Sequence, residues 1–169
     1  MVNQYADSKW KRDVDEYKEL FKIEERLNNY KRIIGTNKDL AGNNITRNTW
    51  LMSVKGYLTE VEIYYKWIRG YIKKQEKNPK FKGELTGKRL LIEALIERSQ
   101  VLVNEGFTKL GGGSWLSGNF SKAFELVSMA ECEIKELIIG FGMGVQMSQY
   151  LTRSEQDQSN IQGAIDNYG

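Results

Sequence analysis

The stretch from Trp50 to Ile72, WLMSVKGYLTEVEIYYKWIRGYI, decides the fold. Its apolar residues Trp50, Val54, Tyr57, Leu58, Val61, Tyr64, Tyr65, Ile68, Tyr71 and Ile72 recur at alternating spacings of three and four, the signature of an α-helix buried along one side. Asn48 or Thr46 can cap its start, and Asn78-Pro79 stops it, because the residue before a proline is pushed out of the helical region.

The same period appears on either side. Upstream, after a cap at Asp7 or Ser8, Trp10, Val14, Tyr17, Phe21, Leu27 and Ile34 form a stripe with Glu24 as its one polar member, ended by Gly35. Downstream, Thr86 offers a cap for a third helix with Leu91, Ala94, Leu95, Leu102 and Leu110 on one side, closed by Gly111-Gly112-Gly113. A fourth helix, from Asn119 or Ser121, runs through Phe124, Val127, Ala130, Ile134, Leu137, Ile138, Phe141 and Val145. No segment alternates with a period of two. The expected fold is all-α, a four-helix bundle of long antiparallel helices over residues 1–151, with a polar C-terminal tail over 152–169. The third and fourth helices, joined near Gly118 to Phe124, resemble one unit of a helical-hairpin repeat. No second copy follows at a fixed period, so a solenoid is not expected.

Composition narrows the chemistry. The chain of 169 residues contains no histidine and one cysteine, Cys132. Imidazole bases, Ser-His or Cys-His pairs, histidine metal ligands and an intrachain disulfide are therefore beyond it. The burial habit of free cysteine predicts a buried or half-buried Cys132. Carboxylate pairs remain, Glu16 with Glu19, Glu93 with Glu97 and Glu133 with Glu136. They could hold magnesium for phosphate chemistry, but acids at these spacings ordinarily lie on solvated helix faces beside Lys and Arg. Gly140 and Gly144 follow no strand, so they are read as packing residues rather than a phosphate loop. A non-enzymatic protein without cofactor is expected. The longest apolar run, Leu137 to Val145, is far shorter than the ~20 residues of a membrane span. The reading is of a soluble cytoplasmic protein, or one packed into a particle assembled in the cytoplasm, with no membrane partner.

Charge supplies the one hint of a ligand. Of the 25 basic and 22 acidic residues, 20 and 12 fall in residues 1 to 89, so that part is strongly basic and the remainder acidic. Lys66, Arg69, Lys73, Lys74, Lys80 and Lys82 concentrate the positive charge, with Trp67, Tyr71 and Phe81 interleaved. Cations beside rings suit a nucleic-acid backbone with exposed bases, contacted without sequence preference. On the second helix, Ile63 and Trp67 fall near the back, on the face opposite the stripe centred on Val61, together with Gly56 and Gly70. Large apolar groups there imply a second contact surface, an interface with copies of the chain or other subunits.

The chain is similar in size and composition to the small all-helical subunits of CRISPR effector complexes and to the helical coat proteins of archaeal viruses. No motif residue is carried over from either. The expected function is a non-catalytic helical subunit of a nucleoprotein assembly. The alternative is a protein-only adaptor or inhibitor whose basic segment meets an acidic partner, with a magnesium-dependent carboxylate enzyme behind it.

Overall fold

The computed structural model describes Tyr5, residues 14–108 and residues 114–143. The readings that concern the first cap, Trp10, Leu110, Val145 and the tail from 152 onward lie outside these residues. Four helices pack on one another, α1 (Val14–Thr36), α2 (Arg47–Gln75), α3 (Lys82–Thr108) and α4 (Ser114–Gly140). The described residues contain no strand, only an isolated bridge between Lys38 and Asn44 in the α1–α2 loop. The all-α bundle is therefore the fold.

α2 forms where its stripe predicts. The Thr46 side chain accepts from the Thr49 N–H, satisfying an N–H that the helix cannot use itself. Val54, Tyr57, Val61, Tyr64, Ile68 and Ile72 are fully buried, because α2 touches each of the other three helices. α1 runs antiparallel to it. Glu24 meets Tyr64, Arg26 meets Glu60, and the Trp50 indole donates to the Ile34 carbonyl at 3.0 Å. α3 is antiparallel to both α2 and α4, with the Gln100 amide on Glu62 and the Asn119 amide on the Leu102 carbonyl. α2 and α4 then run the same way.

Several boundaries and faces differ from the sequence reading. α1 ends one residue after Gly35, and Asn37, at φ 57°, supplies the left-handed turn that follows it. α3 begins at Lys82 instead of after Thr86. The Asn78 carbonyl accepts from Phe81 and Lys82, so the turn after α2 leads directly into the helix, and Thr86 lies within it, its buried hydroxyl without a hydrogen-bond partner among the described residues. α4 starts at Ser114, and Asn119, read as a cap, lies within it and ties it to α3.

The α3 stripe is corrected most. Leu85, Ile92, Leu95, Ile96, Leu102 and Val103 are its buried side, whereas Leu91 is 44% exposed and Ala94 is also on the surface. The helix carries apolar residues on two sides, and periodicity alone picks one set as readily as the other. Cys132 is exposed, on the outer side of α4, contrary to expectation.

Candidate nucleic-acid interface

The buried side of α2 leaves Lys66, Arg69, Lys73 and Lys74 on its outer side, all of them exposed. Lys73 and Lys74 occupy the last turn, where the unpaired carbonyls of a helix end favour cations. The turn that follows is built by Asn78. Its N–H donates to the Gln75 carbonyl at 3.0 Å, and its side-chain oxygen accepts from the Lys80 N–H at 3.0 Å. That holds Lys77, Lys80 and Lys82 on the same end of the bundle, all three exposed.

Ion pairs divide the basic stretch into two groups. Lys88 sits between Glu133 and Glu136 at 3.3 and 3.4 Å, and Arg89 bonds Glu76 at 2.5 Å and Glu93 at 3.5 Å. Both are half-buried and hold α3 to its neighbours. Lys66, Lys73, Lys74, Lys77, Lys80 and Lys82 make no ion pair with a described residue, and Arg69 makes a long one to Glu93 at 3.9 Å. Lys77 belongs with this group although it was not among the six residues singled out from sequence.

None of the three rings interleaved with the charges is fully exposed as a stacking face. Tyr71 is buried and meets Phe141 edge to face at 4.6 Å, while Tyr5 meets Phe81 at 5.4 Å and Phe141 at 5.5 Å. These four rings plug the end of the bundle, anchored by the Tyr5 N–H on the Gly140 carbonyl at 2.7 Å. The Lys80 ammonium lies over the half-buried Phe81, 5.6 Å from its centre. Ile63 and Trp67 are half-buried and packed against the core. Gly56, read as part of a surface for another molecule, faces α1. A Cβ there would lie 2.5 Å from the Tyr30 ring. α1 itself is the neighbour on that side, and Gly70 looks into open space.

A second polar constellation was not read from sequence. Glu131, 3% exposed on α4, accepts from the Tyr57 hydroxyl at 2.6 Å, from Lys31 at 2.9 Å and from Lys135 at 2.7 Å. Nearby, the Tyr64 hydroxyl donates to Glu24 at 2.8 Å. Burial pushes the Glu131 carboxyl up, but the Lys135 charge and the hydrogen bonds outweigh it and hold the group below its ordinary range. Glu24 goes the other way. Burial raises it more than Tyr64 and Lys135 lower it. With donors from α1, α2 and α4 filling the Glu131 carboxylate, the arrangement clamps three helices together.

Three members of the carboxylate pairs have comparable duties. Glu133 and Glu136 bracket Lys88, and Glu93 bonds the Tyr65 hydroxyl as well as Arg89. Among the described residues no group of three or more His, Cys, Asp or Glu side chains is placed to hold a metal ion. No helix among them is long and apolar enough to cross a membrane. The chain matches no family model, and no curated protein or solved structure shows significant similarity to it.

Proposed function

We propose that the protein is a non-catalytic helical subunit that binds nucleic-acid backbone through the α2 end and the α2–α3 turn. Lys66, Arg69, Lys73, Lys74, Lys80 and Lys82 supply the contacts, with Lys77 beside them. One observation carries the reading. These cations are exposed and, apart from the long Arg69 contact with Glu93, make no ion pair with a described residue, while the two basic residues that follow them, Lys88 and Arg89, are neutralised by carboxylates.

Contact of this kind works by releasing the counterions condensed on phosphates, so it is indifferent to base sequence. The buried Tyr71 and the core-packed Trp67 argue for phosphate contact without base stacking. A duplex, which carries about one charge per 1.7 Å of axis, then offers more than a single strand does. Four to six phosphate contacts give a slope of roughly −4 to −5 for log affinity against log salt on duplex, counting ~0.9 per contact. Fluorescence titrations at several salt concentrations, with duplexes of unrelated sequence, test this. Undetectable binding at low salt, or affinity that salt does not change, would contradict it and promote a protein-only role.

A further inference from the structure

We infer that Asn78 is a positioning residue of the proposed interface, which fixes the backbone that carries Lys77, Lys80 and Lys82 before any phosphate arrives. The inference rests on the binding proposal and says what holds its contacts in place. Residues Glu76 to Phe81 link α2 to α3. Lys77 and Lys80 lie in that link and Lys82 opens α3, all three exposed. Long charged side chains on a loose turn must be ordered when a ligand binds, and that ordering costs affinity. A turn already fixed avoids most of it.

Asn78 bonds to both sides of the link. Its N–H donates to the Gln75 carbonyl at 3.0 Å, which ties it to the end of α2. Its carbonyl accepts from Phe81 at 3.0 Å and from Lys82 at 3.1 Å, which ties it to the start of α3. Pro79 has no N–H to satisfy and is suited to a first helical turn. Between Pro79 and Lys82, the Lys80 N–H is therefore the one that turns to a side chain, donating to Asn78 Oδ1 at 3.0 Å. This bond to a residue two positions on is the local turn that Asn and Asp side chains favour. Phe81 steadies the same segment from its other end. Its ring meets Tyr5 edge to face at 5.4 Å, and the Lys80 ammonium lies over it at 5.6 Å. Lys80 is thus held at its backbone by Asn78 and at its charged head by the ring.

Asn78→Ala removes the side-chain acceptor and no charge. Asn78 is exposed, so the change opens no cavity and the helices should persist. Titration of duplex into wild type, Asn78→Ala and Asn78→Ser, at a temperature where circular dichroism shows all three folded, tests the inference. Asn78→Ala should bind duplex about threefold to tenfold more weakly at every salt concentration. Its salt slope should match that of wild type, because the same phosphates are neutralised once the complex has formed. The Asn78→Ser hydroxyl can accept from the same N–H and should restore most of the affinity. A folded Asn78→Ala protein that binds as tightly as wild type overturns the inference and leaves the binding proposal standing. So does a loss that Asn78→Ser fails to restore. A wild-type protein that does not bind duplex at low salt overturns both.

Discussion

Lys31 and Lys135 direct their ammonium groups onto the buried carboxylate of Glu131, whereas Lys73 and Lys74, at the far end of the neighbouring helix, are exposed and make no ion pair with a described residue. The same side chain thus serves as a clamp in one region and as an open contact in the other. What separates them is the supply of acids. α4 carries Glu131, Glu133 and Glu136 within two turns and captures Lys31, Lys135 and Lys88. Toward the end of α2, Arg89 occupies Glu76, and Glu93, which also takes Arg89 and the Tyr65 hydroxyl, reaches Arg69 only at 3.9 Å. Local charge in the sequence therefore overstates the charge on offer to a ligand.

The comparison breaks most visibly at Glu131. Glu131→Gln leaves two ammonium groups without their counter-charge in a partly desolvated seam, and is expected to cost about 3–5 kcal/mol in urea unfolding. Nucleic-acid binding by the folded variant should be unaffected. Lys73→Glu with Lys74→Glu should do the reverse, leaving stability within about 0.5 kcal/mol while weakening binding to all sequences alike.

Acid titration sharpens the contrast within the clamp itself. Glu131, whose carboxyl is depressed in the folded protein, contributes stability that is present above the ordinary carboxylate range and lost as pH falls through its lowered value. Glu24 is raised, so it is protonated in the folded state before it is in the unfolded one, and acidification through that interval favours folding. From these two groups, stability should rise slightly as pH drops toward the ordinary carboxylate range and fall as it drops further through the lowered Glu131 value. In Glu24→Gln the early rise should vanish while the late fall stays. Denaturant midpoints measured across this range check both signs.

The smallest effect concerns the two glycines of α2. Gly70→Ala meets open space and should gain up to about 1 kcal/mol from helix propensity. Gly56→Ala must push the Tyr30 phenol aside, so it should gain less or lose stability. Equal gains in thermal melts would mean that α1 does not hold Tyr30 against α2.

How much of this was readable from sequence depends on the helix. α2 keeps its polar and apolar residues apart, so both its buried stripe and its basic outer side followed from periodicity. α3 does not, with Leu90 and Leu91 as apolar as Leu95 and Ile96, and of the stripe chosen Leu95 and Leu102 are buried while Leu91 and Ala94 lie on the outer side. The rings were misjudged for a different reason. Tyr71 belonged to the α2 stripe already, and that placement excludes it as a stacking face. Trp67 is half-buried and packs against the core, and a helix read in isolation has no flank neighbours. The Glu131 clamp joins residues 74 and 100 positions apart, a juxtaposition that spacing within one helix cannot reveal.

The most direct test sets paired against unpaired cations in one binding experiment. Lys73→Gln with Lys74→Gln should reduce the salt slope of duplex binding by about two, one for each phosphate that is no longer neutralised. Lys88→Gln, which removes a cation already held by Glu133 and Glu136, should leave the slope as it was. An equal fall in slope per charge removed in both variants would show that total charge matters and pairing does not, contradicting the account.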